Sequence, residues 1–280
     1  MNAERKSELD AMCVKFRKDV IELLHSIQTG HPGGSLSVCE ILTALYFEAA
    51  NVNPENPLDP DRDKVVLSKG HAAPMLYRVL AEKSYFPVSE MKTLRQPGSR
   101  LQGHPCSVYT PGVEVTSGPL GCAYGAALGI ALADRLDGRE NYVYAILGDG
   151  EVNEGVVWET VMNAVKQKAD HFISILDWNG VQLDGTTDAV MPMGDLSEKF
   201  RAFGFNAIVV EDGHDIALLC EAIEAAKKTN GKPTVILAKT VKGKGVSFME
   251  GTNIWHGRPI DDESYARAMK DLNGEGSAHG

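Results

Sequence analysis

Tyr142-Val143-Tyr144-Ala145-Ile146-Leu147 runs directly into Gly148-Asp149-Gly150-Glu151-Val152-Asn153-Glu154-Gly155. A short apolar and aromatic run that ends in glycine reads as a strand covered on both faces. Glycines on either side of Asp149 let the backbone approach an anion, and the helix start beyond them favours negative charge. Asp149 itself repels a phosphate. A divalent cation between the two resolves the conflict, because a hard cation takes carboxylate and phosphate oxygens together. A second strand-like run, residues 172–176, ends in Asp177-Trp178-Asn179-Gly180 and places Asn179 30 residues after Asp149. That is about one strand–helix–strand unit, so neighbouring parallel strands bring both side chains to one end of a sheet.

The same alternation continues on either side. Helical spacing marks residues 9–28 (Met12, Phe16, Val20, Leu23, Leu24, Ile27), 35–50, 72–83, 121–136, 154–167, 196–203 and 215–228, and short apolar strands mark 64–68, 207–210 and 234–238. This pattern predicts an α/β fold, a parallel sheet sandwiched by helices, with ligands beyond the carboxyl ends of the strands. Residues 97–119, rich in Gly, Pro, Ser and Thr, read as one long loop, a length that usually serves a function.

Composition narrows the classes. The chain has 280 residues, 43 % of them hydrophobic, with 28 glycines and a net charge of −10. That supports a real core and excludes a disordered chain. An acidic balance also excludes nonspecific nucleic-acid binding as the main activity, since phosphate attraction needs a basic surface. Cys13, Cys39, Cys106, Cys122 and Cys220 show no CxxC or zinc spacing. Cys13, Cys39, Cys122 and Cys220 fall in helical patterns and read as small structural hydrophobes. The charged N-terminus carries no signal region and no run reaches membrane-spanning length, which reads as a cytoplasmic protein.

GDG followed about 30 residues later by NG resembles the thiamin diphosphate fingerprint, and the surrounding text resembles transketolase, specifically the N-terminal subunit of split transketolases. The matching stretches are GHPGGSLS (30–37), LSKGH (67–71), LQGHP (101–105), TSGPLG (116–121), GDGEVNEG (148–155), DWNGVQLDG (177–185), KTVKGKG (239–245) and WHG (255–257). They keep the family order over nearly the whole chain. The resemblance implies a single diphosphate-binding domain over residues 1–280. The pyrimidine-binding and C-terminal domains are then expected on a separate partner chain, in an α₂β₂ assembly.

The resemblance also implies roles. Asp149 and Asn179, with the Val181 carbonyl, would ligate Mg²⁺, with Ca²⁺ or Mn²⁺ as substitutes. Gly148, Gly150 and Glu151 would lie at the diphosphate of thiamin diphosphate, and Gly118, Pro119, Leu120 and Gly121 beside its rings. Glu154 would lie at the contact with the partner's cofactor-activating glutamate. His31, His71, His104 and His256 would surround the reactive carbon and the diphosphate. His71 and His256 would touch the cofactor, and His104 would hold the donor's first hydroxyls. Histidine suits such work because it donates and accepts protons near neutrality. The implied reaction moves a two-carbon ketol unit from a ketose or its phosphate to an aldose or its phosphate. Its cofactor serves as electron sink while a carbon–carbon bond breaks.

One loop histidine alone is better read as a surface or satisfied residue; four in matching motifs reverse that reading. His25, His171, His214 and His279 keep it. In the run Lys239, Lys242 and Lys244, Lys239 is taken as a cofactor contact, against an equally good reading of the run as a solvated loop. Arg95 and Arg100 can serve a substrate phosphate or simply lie on the surface. Trp158, Trp178 and Trp255 read as packing residues. Other thiamin diphosphate enzymes, resembling deoxyxylulose-phosphate synthase or the α chain of a 2-oxoacid dehydrogenase, are the alternative, as is a non-catalytic homologue. A nicotinamide Rossmann protein is disfavoured because no GxGxxG opens an early strand.

Overall fold

Five strands form one parallel sheet: β1 (Lys64–Leu67), β2 (Val143–Gly148), β3 (Phe172–Trp178), β4 (Asn206–Val210) and β5 (Thr234–Lys239). Their order is β1-β2-β3-β5-β4, so the chain skips a place after β3 and returns to fill it. The computed structural model describes residues 1–274.

Helices cover both faces, as expected for an all-parallel sheet. The strands sort their side chains by period two. Val65, Leu67, Tyr144, Ile146, Ile173, Ile175, Ile236 and Ala238 join one core. That core is completed by α1 (Ala3–Ile27), α2 (Pro32–Ser37), α3 (Cys39–Ala44), α4 (Ala73–Glu82), α9 (Ile216–Lys227) and α10 (Asp262–Leu272). Val66, Val143, Ala145, Leu147, Phe172, Leu176, Val235 and Leu237 face the other way. They pack against α5 (Cys122–Leu136), α6 (Gly155–Gln167) and α8 (Leu196–Phe203). The short α7 (Thr187–Val190) lies in the loop after β3 and buries no residue. No helix among the described residues is long and apolar enough to cross a membrane.

Most predicted elements are present within a residue or two. The single helix expected over 35–50 is instead α2, α3 and a wider turn at Leu45–Ala49. Pro32 starts α2 one turn earlier than expected, because proline fits the first helical position, where no backbone N–H is needed. Cys122 does stand in a helix but is exposed, so it is not the buried hydrophobe its pattern predicted. Cys13 and Cys39 are buried, as expected. Residues 97–119 contain no helix or strand. The Tyr77 hydroxyl on α4 pins this segment by donating to the carbonyls of Gln102 (2.9 Å) and His104 (3.2 Å).

Candidate active site

The register decides where the chemistry gathers. Gly148 pairs with Asp177 across β2 and β3, so Asp149 and Asn179 leave the sheet side by side. Lys69 leaves β1 at the same end, and β5 runs on to Lys242. Together they line a cavity of about 160 Å³ with Gly34, His71, Leu120, Gly150, Gln182 and His256. Two glycines make the room. A Cβ on Gly34 would sit 2.9 Å from His71 Nε2, and one on Gly150 would sit 2.9 Å from Gln182 Cβ.

The floor of the cavity is ionic. Asp177 is fully buried and salt-bridged to Lys69, which is 1 % exposed, and it accepts from the hydroxyls of Ser37 and Thr240. Burial opposes its charge, but Lys69 and the two hydroxyls outweigh burial and hold the carboxyl below its usual range. Among the described residues Asp149 has no salt bridge of its own. It accepts from the backbone N–H groups of Gly150 (2.8 Å) and Gly180, while burial and the neighbouring Asp177 push it up to about 6. Glu151 lines the same cavity and braces it. It accepts from Gly121 N (2.7 Å), Gly148 N (3.1 Å) and the Ser68 hydroxyl, tying three loops together.

Asn179 Oδ1 accepts from Val181 N (3.1 Å), and the Val181 carbonyl accepts from Lys242 Nζ (2.8 Å). These oxygens form a hard donor set of the kind Mg²⁺ or Ca²⁺ prefers. Two observations fit such an ion beside a phosphorylated ligand. Among the described residues, Asp149 is buried with no salt bridge and Gln182 Nε2 is buried at the cavity without a partner.

His71 and His256 line the cavity, and His31 and His104 cluster with them. Ring centroids of His31 lie 5.7, 6.0 and 5.5 Å from those of His71, His104 and His256, and His71 and His256 are 5.0 Å apart. Burial, reinforced by neighbouring cations, keeps all four neutral near pH 7. His31 falls to about 4, with Arg95 adding to burial, and His256 to about 3, with Lys242 adding to it. His71 and His104 are lowered too, by burial first. A guanidinium carries only donors. Arg95 Nη2, 3.4 Å from His31 Nδ1, therefore leaves the His31 proton on Nε2. Neutral imidazoles of this kind donate to a carbonyl or hydroxyl oxygen without bringing a charge.

The remaining expected residues fall as follows. Gly118 and Pro119 lie on the loop that leads to Leu120 at the cavity, with Gly118 beside His104. Gly121 has φ +77°, and a Cβ there would meet Val156 at 2.5 Å. Glu154 is exposed at the start of α6, close to Gly121. The expectation for Lys239 needs correction: its ammonium pairs with Glu211 at 2.6 Å and lies over Trp178, outside the cavity. A strand's side chains alternate, so the end of β5 turns Lys239 away, and the chain must bend before a lysine reaches the site. Arg100 pairs with Glu90 at 3.0 Å. His25 stacks on Tyr265 and His171 on Tyr142, while Trp158 stacks on Phe203 and Trp255 packs edge-on against Phe248. His279 lies outside the described residues.

Sequence reasoning did not single out Lys69, Asp177, Gln182 or, as a site residue, Lys242. All four sit inside the quoted motifs LSKGH, DWNGVQLDG and KTVKGKG, where position after a strand was the available signal.

Residues 10–277 match the family described as transketolase, thiamine diphosphate binding domain. The chain is 42 % identical over 275 residues to the 6-deoxy-6-sulfo-D-fructose transketolase subunit of a Clostridium species, covering 98 % of this chain and 100 % of that one. It is 35 % identical to an apulose-4-phosphate transketolase subunit of Phocaeicola vulgatus, covering 95 % and 94 % of the two chains. The transketolase of Pichia stipitis superposes with a TM-score of 0.91 at 30 % identity, covering 95 % of this chain and 41 % of that one. The transketolase of Campylobacter jejuni gives 0.87 at 32 % identity, covering 98 % and 43 %. The chain thus spans less than half the length of these solved transketolases. With a family match over residues 10–277 and a fold shared with solved transketolases, the chain belongs to the transketolase family and corresponds to that family's thiamine diphosphate binding domain.

Proposed function

We propose that this chain is the N-terminal, cofactor-holding subunit of a two-chain transketolase in the cytoplasm. It works with thiamin diphosphate and Mg²⁺ to move a two-carbon ketol unit from a ketose or ketose phosphate to an aldose or aldose phosphate. The observation that carries this reading is one cavity lined by Asp149, Asn179, Val181, His71 and His256, with His31 and His104 clustered against those histidines. Asp149, Asn179 and the Val181 carbonyl are the residues that would hold the metal. Lys242, His71 and Gln182 would bind the diphosphate, with Gly34 and Gly150 leaving it room. When bound, thiamin diphosphate supplies the electron sink for carbon–carbon cleavage.

The protein's own share is binding, orientation and proton placement. His31, with its proton on Nε2, donates to an oxygen on which charge develops, and a buried preorganised donor is worth more there than one in water. His104, held through its carbonyl by Tyr77, would hold donor hydroxyls. A pyrimidine-binding domain on a partner chain would close the open side near Leu120 and Glu154, and an α₂β₂ assembly follows from pairing two such units. The relatives that this chain matches end to end are named as subunits, which supports a partner. Their sugars, one sulfonated and one phosphorylated, point to a donor with an anionic end.

The test is ketol transfer by the purified chain with and without its partner, supplied with both cofactors. Transfer only by the pair is expected; full turnover by this chain alone would refute the two-chain reading. Pyruvate decarboxylation without sugar transfer would favour a 2-oxoacid enzyme instead.

A further inference from the structure

Between β4 and α9 the chain reads Asp212-Gly213-His214, and this turn grips the segment that leaves β5. Gly213 N donates to Lys239 O at 2.7 Å. A Cβ on Gly213 would lie 2.7 Å from Thr240 Cγ2 and 2.8 Å from Lys239 O, so only glycine allows the approach. The next contact is made by a side chain: Val241 N donates to His214 Nε2 at 2.8 Å.

That bond fixes the state of the ring. A backbone N–H only donates, so Nε2 must offer its lone pair and the proton must sit on Nδ1. Nδ1 then donates to Glu40 Oε2, 2.8 Å away. Glu40 is itself anchored by both terminal nitrogens of Arg17, at 2.6 Å each, and Arg17 Nη2 also donates to Leu36 O at 3.1 Å. A buried ion pair between α1 and α3 therefore holds an imidazole, and the imidazole holds Val241. The following residue is Lys242, 2 % exposed, whose Nζ reaches Val181 O (2.8 Å) and His256 Nδ1 (3.0 Å). Gly243 N then bonds to Gly33 O at 3.0 Å.

We infer that His214, as the neutral Nδ1–H tautomer, is a positioning residue: it sets where the chain turns after β5 and so delivers the Lys242 ammonium to the cavity. The inference rests on the proposed function only for the statement that Lys242 meets a diphosphate. The clasp itself stands on the geometry. The solvated-loop reading for this basic run then holds for Lys239 and Lys244 but not for the lysine between them.

Two substitutions in the full chain separate positioning from space filling. In His214→Asn the amide nitrogen takes the place of Nδ1, keeping Glu40 and losing Val241. In His214→Gln the amide oxygen takes the place of Nε2, keeping Val241 and losing Glu40. The readouts are acetylation of Lys242 by acetic anhydride, followed by peptide mass spectrometry, and deuterium uptake over residues 239–249. Loss of one such hydrogen bond predicts about a tenfold rise in both for His214→Asn. His214→Gln should stay near wild type, and Lys69 should stay protected in both as an internal reference. Unchanged Lys242 protection in His214→Asn overturns the inference, and so does equal loss of protection in the two variants. Calorimetry with Mg²⁺ and inorganic pyrophosphate on Lys242→Met tests the other half. Unchanged affinity there would remove Lys242 from the diphosphate site while leaving the clasp intact.

Discussion

Two buried clusters of charged groups in this protein differ in how completely their charges are paired. Arg17, Glu40 and His214 form one between α1 and α3; Lys69, Asp177, Asp149 and Lys242 form the other beyond the carboxyl ends of the strands. In the first, burial works against the Glu40 charge, but Arg17 and His214 outweigh it and hold the carboxyl at about 2. In the second, Lys69 and Asp177 satisfy each other and leave two charges over. Asp149 rises to about 6, through burial and Asp177, and Lys242 falls to about 8, through burial and Lys69. Groups pushed towards neutrality in this way mark a place kept ready for a ligand rather than for stability.

The sharpest way to break the comparison is Lys69→Met, which strands Asp177 without a counter-charge. Removing one partner of a buried pair costs about 3–5 kcal/mol. Urea unfolding of this variant should show that loss, and a loss below about 1 kcal/mol would mean Asp177 does not depend on Lys69.

Asp149 offers the next largest effect, with a definite sign. Its folded pKa lies above the ordinary 3.8, so the native state binds the extra proton. Its cost to stability is absent below about pH 4, grows as pH rises to about 6, and reaches about 3 kcal/mol. Glu40 runs the other way: its contribution is full above the ordinary 4.5 and is lost as pH falls towards 2. Asp149→Asn should therefore flatten the fall in chain stability between pH 4 and 6, as read by melting curves. Asp149→Ala should abolish Mg²⁺-dependent cofactor binding; unchanged affinity in calorimetry would remove it from the metal site.

His104→Ala tests the mouth of the same site. It should raise the donor KM about tenfold and leave cofactor affinity alone, the pattern of a lost substrate contact. An unaltered donor KM would exclude His104 from the donor site. The smallest effect belongs to Lys239→Ala. Its exposed pair with Glu211 is worth less than about 1 kcal/mol. Cofactor affinity should not change, and a tenfold loss would restore Lys239 to the site against its geometry.

The local sequence determined a great deal here. Apolar runs ending in glycine determined the strands, because a strand buried on both faces has little else to be made of. Asp149 and Asn179 were legible as a pair because strand spacing in a parallel sheet converts a sequence interval into adjacency. The four loop histidines were visible through their motifs. Pro32 moved a helix boundary because proline fits the first helical position, and Cys122 turned outward because packing against the rest of the molecule decides which face of a helix is covered.

What only the tertiary structure decided was how charge is shared. Lys239 and Lys242 look alike in sequence, and only the turn held by Gly213 and His214 sends one to Glu211 and the other into the cavity. Likewise Asp149 and Asp177 are two acids at the ends of two strands, and only the arrival of Lys69 from β1 settles one and leaves the other strained. Sequence spacing specifies which residues leave the sheet at a given end. A buried charge is set by its nearest partners in space, and in this fold those partners come from distant strands and turns.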